Sequence, residues 1–528
     1  MLGEDEAMRP SVRYLAVAVA VVGVGLIAVG GAARAETWKL ELKRLEPVAD
    51  ASTSGPNPPA DWVYRQTGVQ PVFFGFFDAE TPDENAQAFA KIVKKEPAKY
   101  QSERPLRGAV QLGSDQYAFV LDMKDAKSKL YDRLYFDQNH NGDLTDDKVI
   151  EGAKPQRAGL LFLGAQDSLF PRVDLTIHVD GAKTDCSFFP RASSVSGPGF
   201  SFVHLSLTAA SYRVGEITLD GKKHTVALLD HNGNGRFDDA IGRPEKVQTP
   251  EGEIDTAPIY GDALLLDPQN AKPRQDVFGE PAIDCQQWLS KLARIGDRYY
   301  DLKVAPAGDQ ITLTPSKVPI GYLTNPHQGL AAVMWGDAGL VQTVKGGSKP
   351  VAMPEGEWRL LSYTIEVQQD SPPAASPEKR KDAAEKKPTG KEKPAAERKD
   401  ADKEPVKIAF LGTIVRLMLG VSGPDDESRM GPAGYSVVSA HATKECKPVT
   451  VRQGQTVTLP FGPPYRPVVT ASYNHHESGR AALWLALVGS GGEEVAYMLV
   501  DGRRPPAPEF AISTVKGDVV KKDRFEYG

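Results

Sequence analysis

The sequence predicts a mainly β, multi-domain protein made of β-hairpin and β-sandwich modules, with two short helices. Its 528 residues exceed what one ordinary hydrophobic core holds, so several domains are expected. The 49 glycines and 41 prolines favour many short strands joined by turns. Runs of β-branched and aromatic residues, bounded by turn residues, recur along most of the chain.

The N-terminus has the pattern of an export signal. Arg9 and Arg13 precede an uncharged run from Leu15 to Ala33, and small residues lead up to Ala35, as a signal peptidase requires. The residues before Met8 are acidic, which suggests that translation starts at Met8. We therefore expect a signal peptide over residues 1–35.

An uncleaved N-terminal anchor is the alternative, because the apolar run approaches the length that spans a bilayer. That segment would then be the only membrane contact. In either case the chain from Glu36 onward is expected outside the cytoplasm, in the periplasm, on the cell surface or secreted. The net charge of −6 offers no basic surface for nucleic acid, so no nucleic-acid partner is expected.

Two short helices are predicted, both as core-packing elements. The first runs from Thr81 to Lys95, with Thr81 as its cap and Phe89 on its buried face. The second runs from about Cys285 to Ile295, with Gly296 as its stop. The buried stripe of this second helix would be Trp288, Leu292 and Ile295.

Strands account for most of the remaining predictions, and Asp220-Gly221 is a strong two-residue hairpin signal. The predicted strands before the middle of the chain are Tyr117 to Asp122, Leu134 to Phe136, Val173 to Val179, Glu216 to Leu219, Thr225 to Leu229, and Ile311 to Thr314. Those near the C-terminus are Thr456 to Leu459, Val468 to Ser472, Ala481 to Val488, Glu494 to Val500, and Glu509 to Val515. Their spacing is typical of a β-sandwich.

A charged, proline-containing stretch interrupts the C-terminal half at residues 368–405. It has too little apolar surface to offset the entropy of ordering, so it is predicted to be disordered. Strands from Trp358 to Val367 and from Val406 to Leu411 flank it, which suggests a loop inserted within one β domain. The predicted domains after the signal are residues 36–160, 161–318, 319–450 and 451–528, the first two each being a repeat with one polar loop.

The polar loop of each repeat is the most informative motif. Both copies follow an apolar strand, and both have Asp, Asn and Asn at loop positions one, three and five, then Gly, an apolar residue at position eight and Asp at position ten. The first loop supplies Asp137, Asn139, Asn141, Asp143, Asp146 and Asp147. The second supplies Asp230, Asn232, Asn234, Arg236, Asp238 and Asp239.

Short oxygen-bearing side chains at alternate positions suit a hard cation, because they point into one turn. The residue at position seven would offer its backbone carbonyl, which explains how Asp143 and Arg236 occupy equivalent places. Asp146 and Asp239 would close the coordination shell. The sequence therefore predicts two calcium sites.

These residues resemble the calcium loops of EF-hand proteins and, more closely, the D-x-N-x-N-G loops of dockerin-like extracellular repeats. The resemblance covers only the loops, and position twelve is Lys148 in one copy and Ile241 in the other, where those families have Glu or Asp. It implies weak calcium affinity and a stabilising role. Asn-rich turns that bind no metal are the alternative, because Asn-Gly is also a common hairpin signal.

Three weaker signals occur elsewhere in the sequence. His475-His476-Glu477 is read as a polar turn, because adjacent strand residues point to opposite faces. The run Pro354 to Leu360 weakly resembles the strand entry of carboxypeptidase-regulatory-like and transthyretin-like sandwiches, which implies a β-sandwich without its own activity. Cys186, Cys285 and Cys446 have no metal-site spacing; one disulfide among them would leave a thiol over.

The leading hypothesis is an exported, calcium-stabilised structural or adhesive protein of the cell envelope, without catalytic activity. The sequence has no G-x-S-x-G, H-E-x-x-H, P-loop or dinucleotide-binding motif. An extracytoplasmic protein that binds glycans or peptides is the second hypothesis. A hydrolase with dispersed catalytic carboxylates is the third.

Overall fold

The computed structural model confirms a mainly β protein. It describes residues 35–47, 59–65, 68–74, 84–125, 130–153, 166–197, 200–242, 246–249, 252–255, 260–272, 274–275, 281–368, 434–473 and 481–525. The predicted signal segment, the cap Thr81, the strand Val406 to Leu411 and His475-His476-Glu477 lie outside these residues. No helix in the described ranges has the length and apolarity needed to cross a bilayer.

Strands up to residue 288 alternate with short turns. They are β1 (Glu36–Lys39), β2 (Glu41–Arg44), β3 (Val69–Phe74), β4 (Leu106–Leu112), β5 (Asp115–Asp122), β6 (Arg133–Phe136), β7 (Ile150–Glu151), β8 (Gln166–Leu169), β9 (Val173–Val179), β10 (Ala182–Gly197), β11 (Phe200–Ala209), β12 (Ser211–Leu219), β13 (Lys222–Leu229), β14 (Lys246–Thr249), β15 (Gly252–Asp255), β16 (Ala263–Leu266), β17 (Arg274–Gln275), β18 (Pro281–Ala282) and β19 (Gln286–Trp288).

The C-terminal part continues in the same manner. Its strands are β20 (Leu292–Ile295), β21 (Arg298–Val304), β22 (Gln310–Pro315), β23 (Ile320–Asn325), β24 (Leu330–Gly336), β25 (Val341–Lys345), β26 (Gly347–Pro354), β27 (Gly356–Gln368), β28 (Tyr435–His441), β29 (Val449–Val451), β30 (Thr456–Thr458), β31 (Arg466–Tyr473), β32 (Ala481–Val488), β33 (Glu494–Leu499), β34 (Glu509–Ser513) and β35 (Val519–Arg524).

The first predicted helix is present as α1 (Glu84–Ile92), with Phe89 buried on its inner face. The second predicted helix is wrong: β19 and β20 occupy this segment and belong to different sheets. Gly296, expected to stop a helix, has a positive φ of 61° in the turn where Ile295 pairs with Arg298. A short isolated helix is marginal, and pairing with β21 and β16 stabilises the strands instead.

Two facing sheets enclose the core next to the first loop. One sheet has the strand order β4-β5-β6-β7 and the other β3-β11-β10-β8, with β9 also paired to β10. Phe119, Phe136, Ile177 and Leu205 meet between them and are fully buried. On the other side of β5, Ala118 and Val120 pack against α1, so β5 is buried on both faces.

The sheet that carries the second loop has the order β19-β16-β13-β12-β2. The Asp220-Gly221 hairpin joins β12 to β13, and both turn residues have positive φ, as the sequence predicted. Val226 and Leu228 face the strands β20 to β22, whereas Ala227 and Leu229 face Trp62 on the opposite side. β1, β2 and β3 pair with β22, β12 and β11, respectively. These pairings join residues on both sides of position 160, where a domain boundary was predicted.

The C-terminal part contains an eight-stranded sheet with the main order β25-β24-β27-β28-β33-β32-β31 and a smaller sheet of order β26-β23-β30. Their shared core includes Trp358, Tyr363 and Phe461. Strands β27 and β28 are antiparallel neighbours, so the charged stretch falls between two paired strands. The described residues from Ala35 onward form one compact unit, and the predicted domain boundaries stay predictions.

Candidate metal centre

The first loop connects the antiparallel strands β6 and β7 and is anchored at both ends. The N–H of Asp137 donates to the carbonyl of Ala118 in β5 at 3.0 Å. Leu144, the apolar residue at position eight, is buried against Phe89 of α1. The apolar position in the motif therefore fixes the loop onto the core.

The Asp137 carboxylate organises the turn from within. It is only 2% exposed. One oxygen accepts the N–H of Asn141 at 3.0 Å and the other accepts the N–H of Gly142 at 2.9 Å. Gly142 has a φ of 81°, and a Cβ there would lie 2.6 Å from the carbonyl oxygen of Ile92, so only glycine fits.

The two asparagines of the first loop direct their side chains to one carboxylate. Oδ1 of Asn139 accepts the N–H of Asn141 at 3.1 Å, and Oδ1 of Asn141 accepts the N–H of Asp143 at 2.6 Å. Their amide nitrogens donate to the two oxygens of Asp146, at 3.4 Å from Asn139 and 2.8 Å from Asn141. Asp137, both asparagines and Asp146 are thus brought together.

The remaining two acids of this loop have different environments. Asp143 turns outward: Lys95 Nζ lies 2.8 Å from its carboxylate, and this bond, with those from Thr145, lowers the pKa of Asp143 to about 2. Asp147 accepts the N–H of Gln138 at 3.2 Å. Burial raises the pKa of Asp147 to about 6, assisted by the nearby charges of Asp137, Asp146 and Asp143.

The second loop repeats the same hydrogen bonds. Asp230, 3% exposed, accepts the N–H of Asn234 at 3.2 Å and of Gly235 at 2.7 Å. Oδ1 of Asn232 accepts from Asn234 N–H at 3.2 Å, and Oδ1 of Asn234 accepts from Arg236 N–H at 2.8 Å. The amides of Asn232 and Asn234 donate to Asp239 at 2.9 and 2.7 Å.

Arg236 and Asp238 lie to one side of this arrangement. The Arg236 guanidinium donates to Asp180 at 2.8 Å and to Asp238 at 3.0 Å, and these bonds raise the pKa of Arg236. Only the backbone carbonyl of Arg236 is left for the loop interior. Asp238 is therefore a partner of arginine, apart from the group formed by Asp230, the asparagines and Asp239.

Asp262 is a site residue that the sequence did not reveal. It is fully buried directly before β16, and its carboxylate accepts the N–H of His231 at 3.0 Å and of Asp239 at 2.9 Å. It thus bonds to loop position two, as Asp147 does in the first loop. Burial raises the pKa of Asp262 well above its ordinary value, and the charges of Asp230 and Asp239 raise it further.

No motif spacing could have indicated Asp262. Residues 240–261 separate it from the loop, whereas Asp147 directly follows Asp146. The only signal was an isolated aspartate before the apolar run that begins at Ala263.

Family models, curated proteins and solved structures were compared with this chain. None matches. The resemblance to D-x-N-x-N-G loops is thus carried by the two loops alone. Within the described ranges, no group of three or more His, Cys, Asp or Glu side chains is placed to hold a metal ion; the oxygens gathered here are mixed carboxylate, amide and carbonyl.

The three cysteines do not form a disulfide in this structure. Cys186 is buried, and Cys285 and Cys446 are partly buried. Burial raises the pKa of Cys285 to about 11, with the charge of Asp284 contributing. A thiol with so high a pKa is a poor nucleophile at neutral pH.

Proposed function

We propose that this is an exported structural protein of the cell envelope, stabilised by calcium at its two polar loops. The observation that carries the proposal is the repetition of one hydrogen-bond arrangement in both loops. In each, the first aspartate holds the N–H groups of positions five and six, and the aspartate at position ten receives both asparagine amides.

Electrostatics supports a cation at these places. Asp230 and Asp262 are buried carboxylates, and burial raises the pKa of both; the charge of Asp239 raises each pKa further, and the charge of Asp230 also raises that of Asp262. Two like charges removed from water are unfavourable unless something neutralises them. A divalent ion surrounded by carboxylate and amide oxygens would do so.

The proposed ligands come from the side chains that meet within each loop. In the first loop they are Asp137, Asn139, Asn141 and Asp146, with the carbonyl of Asp143. In the second they are Asp230, Asn232, Asn234 and Asp239, with the carbonyl of Arg236. Asp147 and Asp262 position the loop backbone.

A bound ion at the second loop would brace several hairpins. The carbonyl of Asn234 accepts the N–H of Gly113 in the β4–β5 turn at 2.5 Å, and Arg236 reaches Asp180 in the β9–β10 turn. An ion that orders this loop would therefore also restrain the two neighbouring hairpins. The affinity expected of extracellular calcium modules, with Kd of about 10⁻⁴ to 10⁻³ M, suits a protein outside the cytoplasm.

Turns that are stable without metal are the competing explanation, because the same hydrogen bonds satisfy the loops internally. Thermal unfolding of the full chain distinguishes the two. At free calcium tenfold above Kd, each site should contribute about 1.4 kcal/mol to the free energy of unfolding. We expect a higher melting temperature in calcium than in EDTA, and a smaller increase in magnesium.

Charge-removing variants assign the effect to the loops. Asp146→Asn and Asp239→Asn should each remove part of the calcium-induced increase in melting temperature, and the double variant should remove it all. Asp297→Asn is the matched control, because Asp297 is fully exposed outside the loops. Melting temperatures that are identical in calcium and EDTA would refute the proposal.

A further inference from the structure

Two open clefts meet at Arg294, at the junction between the second-loop sheet and the C-terminal sandwich. The first has a volume of about 630 Å³ and is lined by Trp288 and Thr343, among others. The second has a volume of about 620 Å³ and is lined by Lys345 and Lys349. Arg294 lines both clefts, which are together called the seam groove hereafter.

Arg294 is held in place by Gln287 and by the turn that follows it. Gln287 fixes its backbone, accepting the Arg294 N–H at 2.9 Å and donating to the Arg294 carbonyl at 2.6 Å. Nε donates to the carbonyl of Gly296 at 3.2 Å. The terminal nitrogens make no hydrogen bond to described residues, and one of them forms a long ion pair, 3.7 Å, with the fully exposed Asp297. A guanidinium whose terminal N–H groups make no hydrogen bond suits a ligand carboxylate.

The second cleft adds positive charge. Lys345 and Lys349 are exposed and form no ion pair within the described ranges. Together with Arg294 they give the second cleft three cations against the carboxylate of Asp297, and the first cleft adds one further carboxylate, that of Asp284, on a chain whose net charge is −6. This local excess favours an anionic ligand over a neutral one.

The first cleft has one aromatic side chain in its lining, Trp288. Trp288 is partly buried, and the rings of Tyr260 and His231, which do not line the cleft, each lie 4.6 Å from it between ring centroids. The electron-rich face of an indole attracts the polarised C–H groups on the flat side of a sugar ring. The exposed Thr343 and the amide of Gln286 can bond to sugar hydroxyls.

We propose that the seam groove binds an acidic oligosaccharide of the uronic-acid type. Trp288, Gln286 and Thr343 receive a sugar ring, while Arg294, Lys345 and Lys349 pair with the carboxylates of adjoining units. This inference is independent of calcium binding. An acidic peptide would use the cationic end but would leave Trp288, Gln286 and Thr343 without a matching group.

Calorimetric titration of the full chain tests the proposal. The probe is a hexamer of galacturonic acid at low ionic strength, with EDTA present so that the polar loops cannot contribute. Saturable binding is expected, whereas a neutral glucose hexamer should not bind comparably. Lys345→Gln/Lys349→Gln should weaken binding roughly fivefold or more, and Arg294→Gln should weaken it as well.

The matched control is Lys303→Gln/Lys317→Gln, which removes the same charge from exposed positions outside the groove. Its affinity for the acidic hexamer should equal that of the wild type. Equal affinities in the groove variant and the control would overturn the proposal, as would equally tight binding of hexaglutamate or of the neutral hexamer. Unchanged melting temperatures verify that the variants are folded.

Discussion

At the residue scale, an aspartate accepts the backbone N–H of position two in both loops, but the two aspartates come from different parts of the chain. Asp147 receives the N–H of Gln138 from within its own loop, whereas Asp262 receives the N–H of His231 from a distant strand start. The motif residues could be identified from sequence because their spacing is local. Asp262 could not, because its position depends on the pairing of β16 with β13.

Ionisation of Asp147 predicts a pH dependence. Its folded-state pKa of about 6 lies above its ordinary value of 3.8, so folding favours the protonated form. In EDTA, Asp147 therefore reduces the stability of the protein increasingly as pH rises from about 4 to above 6, and its effect is constant at higher pH. Burial also lowers the pKa of His204 and His231, so these two histidines reduce the stability of the protein as the pH falls.

Asp147→Asn isolates the aspartate, since the histidine contribution is common to both proteins. The melting temperature of the variant minus that of the wild type, measured in EDTA, should be more positive at pH 7.5 than at pH 5. Asparagine can still accept the Gln138 N–H, so the loop should be retained. A difference that does not change with pH would contradict the assignment.

At the element scale, the first loop and α1 support each other. The N–H groups of Lys94 and Lys95, just after the helix, donate to the carbonyl of Gly142 at 2.8 and 3.1 Å. The N–H of Leu144 returns to the carbonyl of Lys95 at 3.0 Å. The sequence predicted this helix, but not that its end is joined to the polar loop.

Gly142→Ala tests the close contact between them. The added Cβ would lie 2.6 Å from the carbonyl oxygen of Ile92, in addition to the strain of a positive φ. Gly181→Ala is the matched control, because Gly181 has a similar φ but nothing within 4 Å. We expect Gly142→Ala to lower the free energy of unfolding by about 1–3 kcal/mol more than the control, measured by urea denaturation. Equal losses would show that the loop can move away from the helix end.

Strands were predictable where local alternation is strong. Val173–Val179 was predicted with its observed bounds, since buried and exposed residues alternate along it. The segment after Cys285 was not, because Trp288, Leu292 and Ile295 have helical spacing although they lie in strands of two different sheets. Pairing with β16 and β21 determines the structure of this segment, and the local sequence does not indicate those partners.

At the scale of the whole molecule, distant parts of the chain form common sheets. β1 pairs with β22, and β23 pairs in parallel with β30. Residues on both sides of the charged stretch share one core, in which Trp358 and Tyr363 precede it and Val451 and Phe461 follow it. Composition revealed the inserted stretch, whereas the partners of these strands required the three-dimensional structure.

Cleavage within the charged stretch should therefore leave the protein assembled. β27 and β28 flank it as paired neighbours, from Ser362 opposite His441 to Gln368 opposite Tyr435. After limited proteolysis at residues 369–405, we expect the two fragments to co-elute in size-exclusion chromatography and to separate only in denaturant. Fragments that separate under native conditions would contradict the shared core.

Calcium binding by the two polar loops can be observed by anomalous diffraction from crystals grown in calcium. One anomalous peak is expected within each loop, surrounded by oxygens of Asp137 and Asp146 in the first and of Asp230 and Asp239 in the second. Well-ordered loops that contain no anomalous peak would contradict calcium binding.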